Sequence, residues 1–287
     1  MNTKKKEYFM NNIRKIGLTA LAGSLVTLGS AVAGEMSVSG SINTTLKFGK
    51  PDATAGNNTS RSIGNDKDVT FSGGGELDNG TTFSVSTTVL DNYELSASTT
   101  TITTPSIGSF QIGSSTGSAS YMYDEEVPQA YEQVSDAKAT MANIVGNFMD
   151  NNHIMYSAPT LELMGATVNL YAGYSPQASD GKVGDGGSVT YDATVGAGKE
   201  AGIKIAYEGL TLGFGMGESE ETAGSTVDEQ ALYALYSYGS FTLGYQMNEA
   251  DGPASSDDVE FTAFGVSYAV SDDITIAYNQ STSDLAS

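Results

Sequence analysis

Apolar and polar residues alternate along most of this chain. In EMSVSGSINTTLKFG (residues 35–49), Met36, Val38, Gly40, Ile42, Thr44, Leu46 and Phe48 alternate with Glu35, Ser37, Ser39, Ser41, Asn43, Thr45 and Lys47. Successive side chains of a strand point to opposite faces, so the segment predicts a long strand with one mostly apolar and one polar face. The same period governs 68–77, where Val69, Phe71 and Leu77 share a face with Gly73 and Gly75 between them. It governs 81–90 as well, where Phe83, Val85, Thr87 and Val89 align. Between these two runs, Asp78-Asn79-Gly80 predicts a two-residue hairpin, because Asn-Gly supplies the positive φ such a turn needs.

The second half repeats one plan. IKIAYEGLTLGF (203–214), LYALYSYGSFTLGY (232–245) and FGVSYAVSDDITIAY (264–278) each carry an alternating strand ending at Tyr207, Tyr236 or Tyr268. A short turn follows, then a second alternating strand. Polar stretches at 218–229 and 248–258 lie between these units, with another at 176–199 before the first, and predict long acidic loops at the opposite end. Thirteen strands are expected, at about 35–49, 67–77, 81–90, 93–103, 109–115, 153–159, 166–175, 200–208, 210–217, 230–238, 241–248, 259–270 and 274–281. Several exceed the ~5–6 residues of an ordinary globular strand and reach the ~9–11 of a tilted membrane-crossing one. A β-helix passenger would instead repeat every ~20–30 residues, with no reason for Tyr at hairpin ends. The expected fold is therefore all-β, an antiparallel up-and-down transmembrane β-barrel, with Tyr207, Tyr236 and Tyr268 in an interfacial aromatic girdle. Closure is what satisfies backbone N–H and C=O groups that lipid cannot. A non-channel outer-membrane surface or adhesin-type β protein is the alternative function for the same pattern.

The first 33 residues fit that destination. A basic segment, MNTKKKEYFMNNIRK, precedes the apolar IGLTALAGSLVTLGSAVAG, which ends in Ala31-Val32-Ala33. This predicts a secretory signal peptide over 1–33, cleaved between Ala33 and Gly34, with Met1 or Met10 as the start. The apolar run is broken by Gly, Ser and Thr and falls short of the ~20 residues of a spanning helix. Export across the inner membrane and residence in the Gram-negative outer membrane follow as expectations.

Charge sharpens the picture. The 287 residues hold 13 Lys and Arg against 34 Asp and Glu, a net of −21. Lys4, Lys5, Lys6, Arg14, Lys15 and Glu7 all precede Gly34, which leaves eight bases and thirty-three acids, a net of −25. So acidic a chain is unsuited to nucleic acid, which needs a basic footprint, and favours cations. With no Cys and His153 as its one histidine, it offers neither a thiol nucleophile nor a His-based metal site or triad, and no enzyme is expected. GFGMGES (213–219) lacks the Lys-Ser/Thr end of a phosphate loop, and its glycines fall opposite Leu212, Phe214 and Met216, which suits small lumen-facing positions. No cofactor is expected. The acidic stretches 217–230, 248–258 and 181–187 could hold Ca²⁺, although no EF-hand spacing occurs.

From Gly34 onward, the start AGEMSVSGS, the strand-turn cadence and one long mid-chain insertion resemble the general diffusion porins of Gram-negative bacteria, alphaproteobacterial type. The resemblance implies sixteen strands, of which about thirteen are present here, so that the C-terminal strands and the family's terminal aromatic residue are expected to be missing. It further implies a homotrimer in outer-membrane lipid and lipopolysaccharide, and passive diffusion of small hydrophilic solutes and ions. The insertion, 117–152, then reads as the porin third loop folded into the lumen. Val127-Pro128 and apolar positions at spacings of three or four predict a short helix within it. Asp124, Glu125, Glu126, Glu132, Asp136 and Asp150 are its candidate constriction acids. Porins of this type set basic residues on the facing wall. Here only Lys47, Lys67 and Lys204 alternate onto polar faces. That departure predicts cation preference, since charged rings favour counter-ions.

Overall fold

The computed structural model describes residues 35–47, 62–90, 95–114, 126–128, 153–178, 196–222, 224–254 and 258–285. Fourteen strands form one sheet. They are β1 (Glu35–Lys47), β2 (Ser62–Glu76), β3 (Thr82–Leu90), β4 (Leu95–Thr104), β5 (Gly108–Ser114), β6 (His153–Ser157), β7 (Leu161–Leu163), β8 (Ala166–Ser175), β9 (Gly198–Tyr207), β10 (Leu210–Thr222), β11 (Ser225–Tyr238), β12 (Phe241–Asp251), β13 (Val259–Ser271) and β14 (Ile274–Leu285). Neighbours in sequence are neighbours in space, every pairing is antiparallel, and β1 and β14 lie at the edges of the described sheet.

The expected thirteen rungs are all present. The extra strand arises where β6 and β7 both pair with β8 and so form one interrupted rung. Pro159, which has no N–H to give, sits in the interruption, and Ala158 N–H bridges it to the Leu170 carbonyl at 2.9 Å. The Asn-Gly turn differs in size from expectation. Leu77 and Thr81 close a three-residue loop, Leu77 N–H to the Thr81 carbonyl at 2.8 Å, with Gly80 alone at positive φ (79°) and Thr81 N–H donating to Asn79 Oδ1 at 3.0 Å. This is the hairpin in which a tight turn is followed by a glycine bulge.

The largest departure concerns 218–229, expected as an acidic loop. There β10 and β11 stay paired up to Thr222 opposite Ser225, past a bulge at Glu220. Ladder hydrogen bonds come from the backbone, so a strand can run beyond its apolar band on polar side chains. The period-2 hydrophobicity that marks a strand simply ends there. Likewise β12 runs to Asp251 and β13 starts at Val259, which shortens the loop expected at 248–258.

Register separates two faces. One carries Phe71, Phe83, Ile102, Phe110, Tyr156, Leu170, Leu212, Leu232, Leu243, Phe264 and Ile276, and these apolar side chains are exposed or nearly so. The opposite face carries Ser72, Ser84, Thr101, Gln111, Asn169, Lys204, Gly213, Gln246 and Ala263. The second face is concave. Tyr171 on β8 packs against the buried Ala231 and Tyr233 on β11, reaching over β9 and β10 to do so. Flat strands ~4.8 Å apart would hold side chains three strands apart beyond each other's reach. Curvature and the small residues Gly202, Gly213 and Gly215 bring them together. The glycines of GFGMGES thus lie on the concave face, as the alternation predicts.

No described residue is helical. The helix expected within 117–152 and the signal peptide over 1–33 fall outside the described residues.

Candidate functional site

The concave wall is polar where the convex wall is apolar, and its charges are mostly acidic. Register puts Asp68, Glu76, Glu162, Glu200 and Glu229 on it, with Lys204 the one described basic side chain there. Ser41 grips Asp68 twice, by its N–H at 3.0 Å and its Oγ–H at 2.6 Å to Oδ1. Of the three expected lumen bases, Lys204 is on this wall, opposite Asn169 and Gly213. Lys67 is not. It pairs with Ile42 and shares the apolar face with Val69 and Phe71. The expectation miscounted parity because the strand begins at Ser62 and the Lys precedes the clear alternation. Lys47 ends β1 opposite Ser62.

A segment of the long connection between β5 and β6 lies against this wall. Glu126 N–H donates to Gln246 Oε1 on β12 at 2.9 Å. Val127 is buried in a cluster with Phe261 and Ala263 of β13. Val127 and Pro128 sit so close over Gly244 and Gly265 that a Cβ at either glycine would collide with them. In strand order this contact is six or more strands from where the connection leaves the sheet, so the segment crosses the concavity. The Glu126 carboxyl is more than half buried, and burial holds its pKa above the ordinary carboxylate value, partly offset by the Lys204 ammonium. Glu126 also acts electrostatically on Tyr233. Glu126, Lys204, Tyr171, Tyr233 and Gln246 therefore form one polar-aromatic patch on the inner wall. The other candidate acids, Asp124, Glu125, Glu132, Asp136 and Asp150, lie outside the described residues.

Sequence reasoning passed over Tyr171, Tyr233 and the Gly244–Gly265 pair. A signal was available: both tyrosines fall on polar-face parity, and register sets each beside a glycine, Gly202 or Gly213. His153, noted in the sequence as the one histidine, has an unexpected partner: its Nε2 lies 2.9 Å from Glu200 Oε1, both side chains fully buried. Gly173 between them leaves the room this pair occupies. His153 is the first residue of β6 and Glu200 the third of β9, so the pair ties together the starts of two strands that each follow a long connection.

The three tyrosines expected in a girdle lie on the convex face. Tyr207, Tyr236 and Tyr268 all point outward beside short turns, in register with Leu210 or Phe241. Phe241 and Tyr268 stack at 4.6 Å between centroids, and Phe110 and Tyr156 at 5.0 Å, continuing the row at the same end. Tyr156 donates its hydroxyl proton to the Ile107 carbonyl at 2.6 Å. Tyrosine with its ring in lipid and its hydroxyl at the polar boundary is the arrangement an interface favours. Among the described residues no three His, Cys, Asp or Glu side chains converge as a metal site. In 218–229 the strand alternation parts the acids, sending Glu218 and Asp228 outward and Glu229 inward.

A wall polar inside, apolar outside and crossed by a loop segment fits a water-filled tube through lipid, and comparison with known proteins agrees. The fold is similar to that of an anion-selective porin from Comamonas acidovorans (TM-score 0.54, 18% identity, covering 88% of this chain and 80% of that one). It is also similar to OmpF from Salmonella typhi, solved in complex with daunomycin (TM-score 0.59, 12% identity, 86% and 79%). A porin structure refined at 1.8 Å matches with TM-score 0.51 and 14% identity over 88% and 95%. No curated protein sequence matches the chain. The family profile described as Gram-negative porin matches residues 17–286, and the chain therefore belongs to the Gram-negative porins, β-barrel channel proteins of the outer membrane.

Proposed function

We propose that this porin is a cation-preferring diffusion channel for small hydrophilic solutes, with an acidic waist supplied by the connection 117–152. The observation that carries the selectivity is the inner-wall charge: Asp68, Glu76, Glu162 and the loop's Glu126 stand with Lys204 as the one base among the described unburied side chains of the wall, Glu200 and Glu229 being buried and Glu200 paired with His153. In a narrow aqueous lumen with low-dielectric walls, fixed charge of one sign enriches the counter-ion. The Comamonas acidovorans porin is described as anion-selective on the same fold. A charged lumen favours its counter-ion, and the unburied described charge on this wall is mostly acidic.

The rest of the reading follows from it. The chain reaches the outer membrane by cleavage between Ala33 and Gly34 and assembles as a homotrimer. Its acidic rim sits beside lipopolysaccharide with Ca²⁺ screening the two. Transport is passive and uses no cofactor or catalytic group. Single-channel recording of the purified protein in planar bilayers tests the reading: discrete ohmic steps are expected. Insertion into the bilayer without conductance steps would instead favour a non-channel surface protein.

A further inference from the structure

We infer that Gly244, Gly265 and Gln246 are positioning residues: they form a seat on the inner wall that fixes residues 126–128 of the crossing connection and thereby sets the channel's open width. The inference deepens the channel reading above and rests on it for its electrical consequence, though not for the seat itself.

Three independent contacts define the seat. Gln246 on β12 accepts the Glu126 N–H at 2.9 Å. Gly244, also on β12, lies under Pro128, whose Cδ and Cγ, together with Leu235 Cδ2 of the wall, occupy the space a Cβ would take. Gly265 on the neighbouring β13 lies under Val127 Cγ1 and the Pro128 carbonyl. Gly244 and Gly265 are directly opposite in the β12–β13 register, so they make a single notch two strands wide. Below the notch, Phe261 and Ala263 close an apolar pocket around Val127. Elsewhere on these strands the inner positions carry larger groups such as Gln246 and Asn248. The notch is thus matched in shape to a rigid Val-Pro pair. Proline, with φ already fixed, loses little entropy on docking.

A side chain at either glycine must push the segment off the wall, and the free direction is toward the lumen. Gly244→Ala therefore lowers unitary conductance. Pro128→Ala removes the colliding Cδ and Cγ and leaves only the movable end of Leu235 near the new methyl, so the double variant Gly244→Ala/Pro128→Ala recovers it. A glycine with a merely structural role would reduce the yield of folded protein and leave the conductance of inserted channels unchanged.

Seating is also testable without any current, because the chain has no native cysteine. Val127→Cys combined with Ala263→Cys should form a disulfide on oxidation of the folded protein in detergent, read as a mass loss and a gel shift. Val127→Cys with Phe264→Cys, one residue on and facing outward, should not. Cross-linking at 263 with no bridge at 264 is the result expected, and it would stand even if the protein failed to conduct. Failure of the 127–263 pair to cross-link, or equal bridging at 264, would overturn the seat. So would unchanged unitary conductance in Gly244→Ala.

Discussion

Glu126 is the residue where packing and electrostatics meet. Its backbone is pinned to Gln246 and its carboxyl is pressed against the wall near Lys204. Burial disfavours the ionised form, and the lysine only partly restores it, so this carboxyl takes up a proton at higher pH than an exposed glutamate does. The sign follows. The folded protein holds that proton to higher pH than the unfolded chain, so ionised Glu126 weighs against the seated state at neutral pH. Acidification relieves that cost. For the channel, mild acidification removes a negative charge from the lumen before the exposed carboxylates titrate. We predict that cation preference falls as pH is lowered from 7, and that in Glu126→Gln the fall begins at lower pH. A charge ~4 Å from an ion's path in water is worth about 1 kcal/mol, so the contribution of Glu126 should be a several-fold change in permeability ratio at most. Zero-current potentials measured across a pH series check it; an unaltered pH profile in Glu126→Gln would refute it.

At the scale of strands, β10 states the two-solvent logic within one residue step. Leu212 lies on the apolar face beside Ile205 and Ala234, whereas Thr211 lies on the concave face beside Ala206 and Leu235. An arginine on a lipid face costs from about 0–1 kcal/mol near the interface to about 2–4 at the midplane, so Leu212→Arg, one outward position in from Leu210 and its neighbouring tyrosines, should lose an intermediate amount in unfolding from liposomes. Thr211→Arg should cost little stability, because water reaches that face, but should shift selectivity toward anions. Equal destabilisation by both would contradict the face assignment. This alternation is also why so much of the sheet was legible from sequence. Where a strand has lipid on one side and water on the other, as in Met36 to Lys47 or Phe241 to Met247, the chemistry of the two solvents is written into every second residue. Legibility stopped where both faces are wet. The polar halves of β10 and β11, Glu218–Thr222 and Ser225–Glu229, look like loop because polar side chains on both faces erase the alternation while backbone pairing continues. Lys67 was misplaced for a related reason, since Asn65, Asp66 and Asp68 beside it blur the parity that Val69 and Phe71 make plain. The seat for Val127 and Pro128 was invisible because a glycine in a strand reads as weakness until the chain that covers it is known.

For the whole molecule, the family and the fold establish an outer-membrane porin, and the charge of the chain is the feature that bears on its selectivity. A net of −21 over 287 residues is distributed so that the wall around the water path is acidic, with Lys204 its described basic exception. The excess outside that wall has its own geometry. Glu218, Asp228 and Asp251 stand at one level on the outward side of β10, β11 and β12, at the end away from the aromatic row, where Lys199 pairs with Glu218 at 2.9 Å. An exposed pair of this kind adds little stability, so these acids read as a hydrated rim. The selectivity claim depends instead on the lumen, and one recording addresses it most directly. With purified protein in a neutral planar bilayer and a KCl gradient across it at pH 7, the zero-current potential should take the sign for K⁺ permeating faster than Cl⁻. Because screening shortens the reach of fixed charge, its deviation from ideal selectivity should grow as both salt concentrations are raised together. A potential of the opposite sign, with Cl⁻ permeating faster, would contradict the account.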